Sequence, residues 1–510
     1  MDSVRERIAI LEPKIDKIMK IGGTAGLSLG VLHHGEPIYL ANFGFRDIEK
    51  RLAPDANTIY SCCSLTKALT SAAVGLLVED GKVKWDTLLT EVVPEWHTRD
   101  DVLHTQTTVA DLLSHRTGMA WADNLYISTN NNVMISSKDS LQYLIHQEAL
   151  LPFRGQFAYN NLGYEVSGHV IQKLTSSYWS DIIHSQILGP LGMQRTSFKT
   201  PPPGTDNVVV AHCTLDDGTH TPVGGVRAGD DLFGGPSGGL QSSVNDLLKL
   251  YSVFFKSFND QFTHGGTTTE GSPLKQVNHL MSAKVPVNPP TRTETSYGYG
   301  WARVQLAATM GDIGCNPPLM PDGMPVVGKG IPSQLVIYHQ GSLPGALTAT
   351  MLIPETESAI VILTNSLALN DVPDWVGQLI LEALLDAPKE LRNDYIKAAE
   401  VSRATTLKWY STTTEELFKE QKNGISPRDL YEYVGTYWDP ARVFKKFALT
   451  HYHDDVFTWI QPRNELVKRG RWVDQGPDFW KVDFRADGEG RIESLFWVYD
   501  IGVPAVEHRK

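Results

Sequence analysis

The chain has 510 residues, 41% hydrophobic and 20% charged, an ordinary globular composition with material for two or three domains and a sizeable core. A formal net charge of −12 argues against nucleic acid or an anionic membrane surface as a partner. No apolar run reaches the length of a membrane span, and Met1-Asp-Ser-Val-Arg-Glu-Arg lacks the basic and apolar pattern of a secretory leader. The four cysteines show neither metal spacing nor a disulfide framework, so a cytoplasmic protein without a metal or cofactor is expected.

In chain order, an amphipathic helix carrying Ile8, Leu11, Ile15, Ile18 and Met19 comes first, then a hairpin from Ala25 to Phe45 that turns at His34-Gly35. Next is Tyr60-Ser-Cys-Cys-Ser-Leu-Thr-Lys-Ala-Leu69. From Leu65 the apolar residues Ala68, Leu69, Ala72, Ala73, Leu76 and Leu77 recur at helical spacing until Gly81, which predicts a helix with Ser64 at its mouth. Cys62 and Cys63 read as small packing residues beside it. Residues three apart share a helix face, so the Ser64 hydroxyl and the Lys67 ammonium point the same way. A serine hydroxyl is a weak nucleophile until a base takes its proton, and a lysine desolvated by apolar neighbours can be that base. The spacing alone is also what a capping serine beside a surface lysine would give. Ser272-Pro-Leu-Lys275 repeats it in a Gly/Thr/Pro-rich stretch with no buried helix behind it.

Two later segments strengthen the Ser64 copy. Phe157-Ala-Tyr-Asn-Asn161 is a polar loop leading into a helical run, and Leu335-Val-Ile-Tyr-His-Gln-Gly341 is a short apolar strand ending in His-x-Gly, followed by the strand Ala359–Asn365. His33-His-Gly35 and His264-Gly-Gly266 also match His-x-Gly, but in a turn and a loop. Between two of the later strands, Ala307 to Pro332 holds Pro317, Pro318, Pro321, Pro325 and Pro332 among apolar Met310, Leu319, Met320 and Met324. So long an excursion is either a lid over an acyl chain or a surface segment packed elsewhere. Helical stretches follow from Trp375 to Leu384 and from Leu391 to Phe418. From Leu430 the texture becomes alternating and aromatic-rich (Tyr431 to Trp438, Phe447 to Tyr452, Val456 to Ile460, Phe479 to Phe484), the pattern of a small antiparallel barrel. His451 and His453, with Asp454 and Asp455 after them, lack a third converging ligand and read as strand surface rather than a metal site.

The ordered trio Ser64-x-x-Lys67, Tyr159-x-Asn161 and His339-x-Gly341 resembles the serine β-lactamase and penicillin-binding-protein superfamily, in particular its class C β-lactamase, esterase, acyltransferase and D-aminopeptidase branch. Val109-Ala-Asp-Leu-Leu-Ser-His-Arg-Thr-Gly118, Gly234-Gly-Pro-Ser-Gly-Gly-Leu-Gln-Ser-Ser243 and Tyr297-Gly-Tyr-Gly-Trp301 are similar to further segments of that family. The resemblance implies an α+β, multi-domain protein: residues 1–385 a β-lactamase/transpeptidase-like catalytic domain whose antiparallel sheet packs against a helical half, 386–427 a helical linker, and 428–510 a lipocalin-like barrel. It assigns Ser64 as nucleophile, Lys67 as a partly neutral base, and Tyr159 as a proton relay whose phenolate Lys67 would favour. Asn161 would orient Lys67 and substrate. The backbone N–H groups of Ser64 and Ser342 would form the oxyanion hole, with Gly341 allowing close approach. His115 is expected as a buried, hydrogen-bonded turn residue.

His339 departs from the Lys-Thr-Gly of the β-lactamases and transpeptidases, supplying only a partial, pH-dependent charge and disfavouring carboxylated β-lactams. The expected function is a serine hydrolase or acyltransferase acting through acyl-Ser64 on a small ester, thioester or amide, in the manner of an esterase or transesterase of secondary metabolism. Its partners would be a small-molecule acyl donor, free or as a carrier-protein or CoA thioester, and an acceptor. The alternatives are a D-stereospecific amidase or peptidase, a peptide-cyclising thioesterase, and, from another class, a non-catalytic binding protein using the same pocket.

Overall fold

The computed structural model describes every residue except 1, 2, 148, 423, 438–447, 472–474 and 501. Its first helical run is two helices rather than one. Val4–Ala9 starts at a capping box in which Ser3 and Glu6 satisfy each other's backbone N–H. Glu12–Gly22 restarts with Pro13 in its first turn, where a missing N–H costs nothing.

The hairpin forms as expected, Gly26–His33 pairing antiparallel with Glu36–Gly44. Gly26–His33 then pairs with Ser358–Thr364, far away in sequence. Eight strands make the sheet, in the order 36–44, 26–33, 358–364, 346–353, 334–343, 302–306, 295–297 and 285–286. Central strands are buried on both faces, which explains their near-continuous aliphatic sequences. On one face Leu27, Leu29, Val31, Val336, Tyr338, Ile360 and Ile362 pack with helices Glu12–Gly22, Val372–Leu384 and Tyr395–Glu420. On the other, Leu32, Ile337, Leu352, Ala359, Val361 and Leu363 meet the helical half, including the long helix Val244–His264. Gly30 allows that approach, since a Cβ there would lie 2.4 Å from Val244 Cγ1.

The 302–306 strand pairs with 334–343 only as far as Tyr338. Beyond it, His339 to Leu343 runs on opposite Thr350 to Ala346. That stretch turns alternate side chains to the two faces: Gln340 donates to Asp374 Oδ1 on the outer-helix side, while His339 and Gly341 face the helical half.

The excursion at 307–332 packs on the outer-helix side, away from Ser64. Asn316 Nδ2 donates to Asp374 Oδ2 (2.9 Å) and to the Asp371 carbonyl (3.0 Å), and its Oδ1 accepts the Asp371 N–H (2.9 Å). Val326 O accepts from Asn393, and Met320 and Met324 pack onto the core of that side. The surface reading of this segment is therefore the one realised: its apolar residues cover the outer helices rather than the site. Burial holds the Asp371 and Asp374 carboxyls above the usual range, with the Asp374 charge adding to the effect on Asp371 and the Asp312 charge to that on Asp374. Asn316 donates to the Asp374 carboxyl and pairs with the backbone of Asp371.

In the C-terminal part, strands 450–453, 456–458, 481–486, 492–497 and 506–509 form a separate five-stranded antiparallel meander. Part of the aromatic pattern that suggests a barrel, Trp438 and Phe447, lies outside the described residues. Among those described, the first and last strands do not pair with each other. The sheet rests on Tyr395–Glu420 through Trp409, whose Nε1 donates to Gln475 O.

Asn316→Ala should lower stability by about 2–4 kcal/mol, since it strips a partner from the buried Asp374 carboxyl and from the buried backbone N–H and carbonyl of Asp371, yet leave substrate preference unchanged. Chemical denaturation alongside a substrate panel checks both halves.

Candidate active site

Strand Tyr60–Cys63 leads into a turn, and the helix begins at Thr66 and runs to Glu79, with Gly81 just beyond it in the left-handed conformation. Ser64 occupies the turn, following Cys63, a non-glycine residue at φ 49°. No side chain caps this helix, so the capping reading of Ser64 does not hold. Gly300 lies against the helix at its start: a Cβ there would sit 2.8 Å from the Lys67 carbonyl oxygen. Gly341 does the same for the strand before Ser64, where a Cβ would meet Cys62 O at 2.8 Å and Cys63 Cβ at 2.9 Å. These two approaches explain why the Tyr-Gly-x-Gly-Trp and His-x-Gly segments need glycine. Cys62 and Cys63 are buried, with burial pushing the Cys63 thiol up to about 12, so neither competes as a nucleophile.

Lys67 is wholly buried. Its Nζ lies 3.0 Å from Ser64 Oγ, 2.8 Å from Asn161 Oδ1 and 2.9 Å from the Ser237 carbonyl. Burial lowers its pKa to about 7, against the opposing pull of the Asp123 charge. This geometry sets what the neutral form of the amine can do. A neutral amine has two N–H donors and one lone pair; the amide oxygen of Asn161 and the carbonyl of Ser237 can only accept. Both N–H bonds are thereby committed, and the lone pair faces Ser64. The Ser237 carbonyl comes from the Gly234–Ser243 motif, whose short helix Gly235–Gly238 packs beside the Thr66–Glu79 helix.

Asn161 opens the helix Asn161–Thr175, capped by Asn160, whose side chain accepts from Gly163 N–H. Its amide orientation is unambiguous: Oδ1 receives Lys67, and Nδ2 donates to Asp123 Oδ2 at 2.7 Å. Tyr126 OH donates to the other Asp123 oxygen at 2.7 Å. Asp123 is half-buried, and desolvation raises its carboxyl pKa while Tyr126, Trp121, Asn161 and Lys67 act to lower it.

Tyr159 places its ring 4.8 Å from Lys67 Nζ. The expected phenolate is not favoured: burial holds the Tyr159 pKa well above its ordinary value, so the hydroxyl keeps its proton and acts as a donor. His339 likewise departs from expectation. It is buried, and burial together with the Lys67 charge lowers its pKa to about 3. Its Nδ1 is 2.5 Å from the Gln340 carbonyl, which can only accept, so Nδ1 carries the hydrogen and Nε2 accepts from Tyr297 OH at 2.9 Å. The residue supplies a neutral imidazole rather than a partial charge. His115 is buried, as expected, its Nδ1 accepting the Asn160 N–H. It also stacks 4.4 Å from the Tyr159 ring. Trp121 stands 5.8 Å from Tyr159 and is 48% exposed, an aromatic wall at the mouth.

Ser64, Lys67, Tyr159, Asn161 and His339 thus converge, with Gly341 and Ser342 on the adjoining strand. Asp123 and Tyr297 complete the network without having been singled out as site residues. Tyr297 sits in a motif already visible; Asp123 has no local signature. The other Ser-x-x-Lys is structural: Ser272 Oγ pairs with Ser257 Oγ, and Lys275 Nζ donates to the Ser272 carbonyl rather than to its hydroxyl. Among the described residues no cluster of His, Cys, Asp or Glu could hold a metal ion, and no helix is long and apolar enough to cross a membrane.

A fold of this kind around a serine–lysine pair defines a β-lactamase/penicillin-binding-protein-like protein. The chain belongs to the Beta-lactamase family, whose model matches residues 11–384. It is 22% identical over 471 residues to "Unguisins hydrolase ungD'" of Aspergillus campestris, covering 86% of this chain and 76% of that protein. It is 25% identical over 410 residues to "Unguisins hydrolase ungD" of Aspergillus violaceofuscus, covering 75% of this chain and 66% of that one. Its fold is shared with the octameric penicillin-binding protein homologue from Pyrococcus abyssi, at TM-score 0.60 and 20% identity, covering 97% of this chain and 96% of that one. Family and named relatives support an enzyme of the serine hydrolase type.

Acylation of Ser64 should rise with pH through about 7, because protonated Lys67 has no lone pair to offer and the neutral amine does. Lys67→Arg, charged at every accessible pH, should slow acylation about 10²–10⁴-fold and abolish this limb. Labelling rates between pH 5 and 9 measure both.

Proposed function

We propose that the protein is a serine hydrolase or acyltransferase that forms an acyl-Ser64 intermediate from an ester, thioester or amide lacking a recognition carboxylate. The observation that carries this reading is the Ser64 Oγ to Lys67 Nζ contact of 3.0 Å, with a lysine whose neutral form is accessible near pH 7. Ser64 gives its proton to Lys67 as Oγ attacks the acyl carbon. Negative charge develops on the carbonyl oxygen, which the backbone N–H groups of Ser64 and Ser342 would receive; one such donor contributes about 3 kcal/mol to the transition state. As the tetrahedral species collapses, the bond to the leaving group breaks, and the Tyr159 hydroxyl passes it a proton that Lys67 replaces. Water or an acceptor alcohol or amine then attacks acyl-Ser64 with Lys67 again as base, so hydrolysis and transfer share one machinery.

The acyl preference rests on charge. His339 is neutral at the strand position where the superfamily's carboxylate-binding members carry lysine, so a substrate carboxylate finds no fixed positive partner there. The aromatic wall of Trp121 and Tyr159 favours an apolar or peptidic acyl group. The relatives' hydrolase names agree with water as an acceptor.

Intact mass spectrometry after incubation with a fluorophosphonate and with uncharged aryl esters and thioesters tests the reading. One covalent adduct is expected, lost in Ser64→Ala, while that variant's stability stays within about 1 kcal/mol of the parent. An adduct persisting on another residue, or none with any donor, would overturn it. Among donors of equal reactivity, uncharged ones should acylate Ser64 about 10–100-fold faster than carboxylated β-lactams, the equivalent of one missing charge-assisted hydrogen bond. Rapid penicillin turnover would refute the preference.

A further inference from the structure

We propose that Asp500, in the C-terminal part of the chain, is a positioning residue for the Ser64 site, latching the loop that carries Trp121 and Asp123. This rests on the catalytic reading above and adds a second part of the chain to it.

The loop from Met119 to Asn132 is held in conformations it would not adopt unaided. Ala122 has φ 64°, and Asn130 and Asn131 have φ 54° and 55°. For alanine the left-handed region costs roughly 1–2 kcal/mol, so outside contacts must fix it. Ala122 is buried; its N–H donates to Asp500 Oδ2 at 3.1 Å, and its carbonyl accepts Tyr143 OH at 2.9 Å. Asp500 is itself buried. At the loop's other end Asn130 N–H donates to the Arg469 carbonyl at 2.7 Å, and Gly470 lies so close that a Cβ would sit 3.2 Å from Asn130 N and Cα. The C-terminal part therefore grips the loop at both ends. Asn131 adds an anchor to the sheet, its Nδ2 donating to the carbonyls of Pro344 and Gly224.

What lies between the two grips is the site itself. Asp123 follows Ala122 directly, so the backbone twist at Ala122 aims its carboxylate. That carboxylate holds Asn161, Asn161 holds Lys67, and Lys67 faces Ser64. A loosened Ala122 would let Asp123 drift. Asn161 would then lose the acceptor that fixes its amide, and the lone pair of Lys67 would no longer be committed to Ser64. Displacements of about 1 Å at such a pair cost rate steeply.

The test compares the full chain with Asp500→Ala, Asp500→Asn and Gly470→Ala by hydrogen exchange and by the rate of Ser64 labelling with a fluorophosphonate. Asp500→Ala should speed exchange of amides in residues 119–127 about tenfold, while amides of the Val244–His264 helix stay unchanged, the mark of a local opening. Labelling should slow at least about fivefold. Asp500→Asn keeps an oxygen acceptor for Ala122 and should recover both readouts to within about twofold. Gly470→Ala, pressing on Asn130 from the other end, should also slow labelling and covers the case in which Asp500→Ala does not fold. Exchange and labelling unchanged in Asp500→Ala and Gly470→Ala would overturn the latch, as would losses in Asp500→Ala that Asp500→Asn does not relieve. Exchange does not depend on the chemistry at Ser64, so an unmodified protein that failed to label would sink the catalytic reading while the exchange comparison still judged the latch.

Discussion

Everything at this site depends on a lysine kept out of water. An ammonium without solvent is costly, and the structure answers by letting the charge go rather than by pairing it directly with a carboxylate. The nearest acid, Asp123, is held one residue away behind the amide of Asn161. That spacing matters. A carboxylate in contact with Nζ would hold the proton on lysine and remove the base; no carboxylate at all would leave the amide of Asn161 free to turn. Asp123 at one remove orients the amide and pulls only partly against burial, which leaves Lys67 near 7.

The surroundings keep the same discipline. His339 and His115 are held neutral by burial, and the hydroxyls of Tyr159 and Tyr297 keep their protons. Lys67, at about 7, can therefore change charge near neutral pH while these four neighbours do not. Around that one amine the imidazoles and phenols act as fixed dipoles. Preorganised dipoles of this kind stabilise a developing charge without reorganising as it forms.

Legibility in the sequence followed the reach of each interaction. Ser64 and Lys67 were readable because helical spacing alone puts residues three apart on one face. The glycines at 300 and 341 were visible in motifs, since contacts below 3 Å to neighbouring backbone admit no Cβ. The hairpin, the return of the strands after Tyr297 and the aromatic alternation near the C-terminus follow from periodicity, which local sequence carries. The break at Pro13 was equally local, though one apolar stripe running across it suggests a single helix.

What could not be read was the environment. The charge of His339 depends on how deeply a strand end is buried, and the proton on Tyr159 on what surrounds its ring; neither is written in neighbouring residues. The proline-rich excursion has the composition of a lid, yet composition is silent on which face of the sheet receives it. That choice was made by Asn316, whose side chain satisfies Asp371 and Asp374 on the outer side. Asp123 shows the same limit most sharply. It stands 38 residues before Asn161 in a loop without periodicity, and that loop is in turn contacted by Arg469, Gly470 and Asp500, far away in sequence. The lysine can be found from its own helix, whereas the groups that tune it are chosen by the fold.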